Sequence, residues 1–170
     1  MSRLYSLRIE NFRGIKILEH TFGWSNNCVL IGRGDSGKST VLKAISYLLS
    51  PVWNLPVNDY DFYNRNVDQT IVIEGVLYDV PEELLQFDKF GQYAQAIRPD
   101  GVICPDLDIF TDKAKLCLKL RLSIGEDLEP SWIVVSNRDI GDKIISAKDR
   151  EKFQMYYIAD YIDSQLSLCK

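Results

Sequence analysis

The chain has 170 residues, 46% of them hydrophobic, with 20 Lys+Arg against 24 Asp+Glu, a profile that fits one compact domain and excludes general disorder. The net charge of −4 gives no overall pull toward nucleic acid, but it is unevenly divided, with residues 1–50 carrying +4 and the remainder −8. No apolar stretch reaches the roughly 18 uncharged residues of a membrane helix, and the polar start Met1-Ser2-Arg3 leads into no signal-peptide core, so a cytoplasmic protein without a membrane partner is expected.

Along the chain, Tyr5, Leu7 and Ile9 alternate with Ser6, Arg8 and Glu10, the period-2 pattern of a half-buried strand. Asn11-Phe12-Arg13-Gly14 breaks it, and Ile15 to Phe22 reads as a returning strand that ends at the turn Gly23-Trp24-Ser25-Asn26. Asn27-Cys28-Val29-Leu30-Ile31 is continuously apolar after its Asn and reads as a strand buried on both faces. Beyond a glycine-rich stretch, Val41, Leu42, Ile45, Leu48 and Leu49 share one face of a helix that Pro51 would stop. The aromatics between Pro51 and Asp68 need burial, which predicts an ordered loop there. Ile71 to Tyr78 is a strong strand candidate, and Pro81-Glu82-Glu83 places Pro and acids where a helix N-terminus favours them, predicting a short helix toward Phe90. Leu116 to Ile124 and Trp132 to Val135 read as two further strands, and Ala147 to Leu168 as a closing helix.

The glycine-rich stretch carries the chemistry. Gly32-Arg33-Gly34-Asp35-Ser36-Gly37-Lys38-Ser39-Thr40 fits the G-x-x-x-x-G-K-[ST] pattern, in which small residues let successive backbone N–H groups converge on phosphate oxygens at a helix N-terminus. A strand before it and an amphipathic helix after it are the context such a loop requires. Lys38 would reach the β- and γ-phosphates as a point charge, the Ser39 hydroxyl would ligate Mg²⁺, and Thr40 would sit near the α-phosphate. Asp35 is a departure, because a carboxylate beside a triphosphate repels it unless it points outward or engages a partner subunit. Arg33 is expected to face solvent.

Other chemistry is poorly supported. Cys28, Cys104, Cys117 and Cys169 form no C-x-x-C pair and His20 is the sole histidine, which argues against a zinc site and against a Ser-His-Asp triad. Asp79, after Val76-Leu77-Tyr78, imitates the acid that should hold Mg²⁺ but has no second acid beside it. Asp88-Lys89-Phe90-Gly91 matches D-x-x-G by letter but follows a predicted helix, and Asn137-Arg138-Asp139 lacks the spacing of a guanine-reading motif. Glu74 with Asp106 and Asp108 superficially resembles a nuclease acid triad, although Glu74 lies mid-strand and both aspartates lie in a predicted loop.

Leu7-Arg8-Ile9-Glu10-Asn11-Phe12-Arg13-Gly14, followed by Val29-Leu30-Ile31-Gly32 and the loop through Thr40, resembles the N-terminal part of ABC-type ATPase heads of the SMC, RecF and OLD group. Leu49 to Trp53, Asp61-Phe62-Tyr63, Pro81 to Leu85 with Phe90-Gly91, and Asp127 to Trp132 further resemble OLD-like, ATP-dependent endonucleases. The resemblance implies an α/β P-loop lobe with a mixed β-sheet and a few helices, in which residues 1–170 form the N-terminal portion of the head. It also implies ATP and Mg²⁺ as cofactors held by residues 32–40, Arg13 as a contact near the phosphates, DNA as a partner, and a homodimer or a missing C-terminal half to complete the site. Such proteins continue with a signature motif, a Walker B acid pair and, in OLD proteins, a Toprim nuclease domain. None of these is found in the sequence, so no catalytic residue is assigned, and hydrolysis is expected to need the missing half. The competing expectation is a stand-alone regulatory module that holds nucleotide without hydrolysing it.

Overall fold

The computed structural model describes residues 2–25, 27–104 and 113–154. The alternating N-terminal pattern forms β1 (Arg3–Phe12), which turns through Arg13-Gly14 into β2 (Ile15–Thr21). After the glycine-rich loop comes α1 (Lys38–Leu48), then β3 (Ile71–Tyr78), β4 (Gln95–Ile97), β5 (Ile103–Cys104), β6 (Lys115–Ile124), β7 (Pro130–Val134), β8 (Lys143–Ile144) and the short α2 (Ala147–Glu151). The strands form one sheet in the order β2-β1-β3-β6-β4-β5, with β7 joined to the far half of β6 and β8 joined to β7. Every described pairing is antiparallel. The α/β class expected from the sequence is thus realised as one curled antiparallel sheet with few helices.

One face of the sheet and α1 make the main core. Period-2 alternation sends Leu7 and Ile9 of β1, Ile71, Ile73 and Leu77 of β3, and Leu118, Leu120 and Leu122 of β6 to the same side, where Val41, Ala44, Tyr47 and Leu48 of α1 pack on them. Gly75 belongs to this face: a Cβ there would stand 2.6 Å from Leu48 Cδ2 and 3.0 Å from Leu4 Cδ1, so the helix sits close because that position is bare. Tyr5, Val76, Tyr78, Ile97 and Cys117 form a smaller cluster on the opposite face.

Two buried charges fix this arrangement. Arg150 of α2 is 3% exposed, lies 3.8 Å over the Trp132 ring, and donates to the carbonyls of Ser50, Val52 and Ile145. Burial lowers its pKa to about 10, which leaves it charged at neutral pH. It ties the chain leaving α1 to the end of the sheet, beside the bond from Trp132 Nε1 to the Tyr47 carbonyl. Glu74, on the opposite face of β3, pairs with Lys119 at 2.9 Å and Arg121 at 2.6 Å. Burial opposes its charge, but those two partners outweigh it and hold the carboxyl below its ordinary value.

Several expectations are corrected. Residues 27–31 join no strand among the described residues; Val29 is 78% and Ile31 91% exposed. A strand is defined by its neighbours, and among the described residues none pairs with this run. The segment after Pro81 forms two separate 3-10 turns, Glu82–Leu84 and Gly91–Tyr93, because burial of Leu84 and Phe90 folds the chain back on itself before a helix can propagate. Of the closing helix only Ala147–Glu151 is described as helical, and residues 155–168 of that expectation lie outside the described residues, as do Asp106 and Asp108. No described helix is long and apolar enough to cross a membrane.

Candidate functional site

The loop from Gly32 to Gly37 caps the N-terminus of α1 and lies at the surface. Gly32 sits close to Ser36, where a Cβ would stand 2.6 Å from Oγ and displace that hydroxyl. Asp35 (φ 57°) and Gly37 (φ 84°) adopt left-handed backbone conformations that turn the chain into the helix, where Val41 N donates to the Gly37 carbonyl at 2.9 Å. The first turn of α1 carries no acidic residue and no side-chain cap. Its leading N–H groups, with Ser39 and Thr40 beside them, therefore face outward at the positive end of the helix, which suits an anion.

Lys38 is folded over this loop. Its Nζ donates to the carbonyls of Gly32 (2.9 Å) and Arg33 and to Ser36 Oγ (3.1 Å), so the loop's own oxygens hold the ammonium. Arg33 and Asp35 are exposed, as expected for Arg33.

Arg13, 19 positions before Gly32 in sequence, lies on the hairpin whose Ile15 approaches this loop. It occupies the tip of the β1–β2 turn at φ 52°, and the next residue but one, Ile15, puts its Cδ1 3.9 Å from the position a Gly37 Cβ would take. Arg13 Nε donates to Asp61 Oδ1 at 2.7 Å and its backbone N donates to the Asp61 carbonyl at 2.7 Å. Sequence reasoning did not assign Asp61 to the site. Its signals were the Asp61-Phe62-Tyr63 resemblance and its place in the polar-aromatic loop, where Asn58 precedes it by the three-residue spacing of a capping box.

The weaker candidates resolve into structural roles. Asp79 pairs with Lys115 at 2.8 Å and Arg3 at 3.5 Å. Gly91 packs directly against the carbonyls of Leu85 and Gln86, so the D-x-x-G match is a tight turn. Glu74 is committed to Lys119 and Arg121, and among the described residues no group of three His, Cys, Asp or Glu side chains is placed to hold a metal ion.

A cavity of about 620 Å³ opens between α1 and the start of β1, lined by Arg3, Leu4, Phe22, Cys28, Ile45 and Asp79 among others. It borders the unpaired 27–31 run, and Leu42 of α1 is 47% exposed.

Comparison with known proteins agrees with this geometry. A search of curated proteins gives no match. Among solved structures, one from work on ATP-driven dimerization and DNA-stimulated activation of SMC ATPases aligns with a TM-score of 0.52 at 9% identity, covering 89% of this chain and 77% of its own, which shows a shared fold. The family model for the AAA ATPase domain matches residues 3–167. With a nucleotide-type loop at the head of α1 and nearly the whole chain matched, this protein belongs to the AAA ATPase domain family.

Proposed function

We propose that the chain binds ATP-Mg²⁺ through residues 32–40 as the N-terminal portion of an SMC/RecF-like, OLD-like ATPase head that acts on DNA, and that hydrolysis requires a further half of the head. The backbone N–H groups at the start of α1 bind phosphate oxygens, Lys38 exchanges its loop carbonyls for the β- and γ-phosphates, and Ser39 offers its hydroxyl to Mg²⁺. Arg13 adds a guanidinium beside the same phosphates. The bare Gly32 position and the uncapped, acid-free first turn of α1 fit a phosphate chain.

The observation that carries the missing-half reading is the exposure of Val29 and Ile31, 78% and 91%, in a run whose composition is that of a doubly buried strand. Strand edges with apolar side chains seek a partner. A further half supplying strands alongside 27–31 would cover that run, fill the cavity against Ile45 and bring an acid to the Mg²⁺ shell. ATP-driven dimerization, the subject of the SMC work, would then pair two such heads.

The test is calorimetry of ATP-Mg²⁺ binding to the wild-type chain and to Lys38→Ala, followed by phosphate release on the same samples. Binding that Lys38→Ala abolishes, with no release from either, supports the proposal. Failure of the wild-type chain to bind sinks it, and Lys38-dependent release by the chain alone refutes the need for another half.

A further inference from the structure

We infer that Asp61 is a positioning residue for the nucleotide site, fixing Arg13 so that its two terminal nitrogens face the phosphates. The inference rests on the reading of residues 32–40 as an ATP loop.

Arg13 is held from one side only. Its Nε bonds to Asp61 Oδ1, and among the described residues Nη1 and Nη2 make no hydrogen bond. Those two nitrogens form the fork that matches a phosphate. The Arg13 side chain is 38% exposed, so its terminal nitrogens are open to a ligand, while the Asp61 side chain is 4% exposed. A free arginine on a hairpin tip samples many rotamers, and tethering Nε removes most of that freedom before any ligand arrives.

Asp61 is itself immobilised. Its Oδ2 accepts from Asn58 N at 3.1 Å, Asn58 Oδ1 accepts from Tyr60 N at 2.9 Å, and the neighbouring Phe62, 1% exposed, bridges to Phe12 across the strand. The backbone bond from Arg13 N to the Asp61 carbonyl also holds Arg13 in its left-handed conformation. One aspartate thus fixes both the main chain and the guanidinium of a residue 48 positions away. Phe12 adds a second wall, with the Arg13 guanidinium carbon 5.3 Å from its ring centre.

Asp61→Asn discriminates well because the amide is isosteric but has one acceptor oxygen. It cannot accept from both Arg13 Nε and Asn58 N, and whichever donor is left faces an NH₂ group. The experiment measures ATP-Mg²⁺ and ADP-Mg²⁺ affinity by calorimetry for wild type, Lys38→Ala, Arg13→Ala, Asp61→Asn and the double variant Arg13→Ala/Asp61→Asn, with thermal melts as a check of folding. Asp61→Asn is expected to weaken ATP about 5- to 30-fold, approaching the loss in Arg13→Ala, and the double variant should bind like Arg13→Ala alone. The Nε–Hε resonance of Arg13 should lose its downfield shift in Asp61→Asn. ATP affinity within twofold of wild type in either single variant overturns the inference, and so do losses that multiply in the double variant. If Asp61→Asn does not fold, Arg13→Lys carries the test, because an ammonium cannot bond Asp61 and present a fork; wild-type affinity there overturns the inference. Loss of the nucleotide reading is seen separately, as Lys38→Ala binding like wild type.

Discussion

Two apolar runs flank α1 in sequence, and they meet opposite fates. Ile71 to Tyr78 is paired on both edges, by β1 and β6, and seven of its eight residues are buried. Val29 to Ile31 is as apolar, leads straight into the phosphate-type loop, and stands in solvent. Hydrophobic pattern states which residues should be buried, whereas burial itself depends on what lies alongside. On the β3 side the chain supplies its own neighbours. On the 27–31 side no described residue pairs with the run.

The sharpest test of that contrast uses its cysteines. Cys28 lies exposed in the open run, and Cys117 is buried in β6 opposite Tyr78, where burial pushes its thiol up to about 12 from an ordinary 9.0. Only the thiolate reacts, and burial both raises the Cys117 thiol and shields its sulfur, so at pH 8 Cys117 is expected to react far more slowly than the exposed Cys28. Labelling with a thiol reagent, with Cys28→Ser as control, checks it, and equal rates would break the contrast.

Next comes truncation on the two sides. Ile73→Ala removes a side chain with 0% exposure and should cost about 2–5 kcal/mol in urea unfolding. Ile31→Ala should stay within about 0.5 kcal/mol. A large loss at Ile31 would mean that the run is buried in solution. Arg150→Met is expected to cost about 2–4 kcal/mol, because three carbonyls lose their donor and Trp132 loses its cation. A change below 0.5 kcal/mol in melting experiments would show that the closed side does not depend on it.

The smallest effect concerns pH. Glu74 has a folded pKa below its ordinary 4.5, so its ionisation stabilises the fold above that value and the contribution disappears as pH falls through the folded pKa. Glu74→Gln should therefore be about 1–3 kcal/mol less stable than wild type at pH 7 and should converge with it in acid. Parallel stability curves for the two proteins would remove Glu74 from the acid response.

The parts of the fold that could be read from the sequence are those whose pattern is local. β3 runs over the residues expected of it and β6 begins one residue earlier than expected, since alternation across eight to ten residues is strong. The helix after the loop was legible from the spacing of its apolar residues. β4, β5 and β8 span only two or three residues each, too few for any period to register. Proline and acids at 81–83 announced a helix start, but propagation needs several turns and the packing of Leu84 and Phe90 ends it early. Within the candidate site the phosphate loop is contiguous and was plain. Asp61 was not, because its meaning lies in a bond to a residue 48 positions away.

The bonds of Arg150 set an order on the making of this protein. The carbonyls of Ser50 and Val52, at the exit of α1, are bonded by a residue 100 and 98 positions later. At ordinary synthesis speeds of about 5–20 residues per second, some 5–20 s pass between the emergence of the helix and the arrival of its clasp. Through that interval the Ser50 and Val52 carbonyls lack the guanidinium that bonds them in the finished fold, and the exit of α1 is held by its local bonds and, once it has been made, by Trp132.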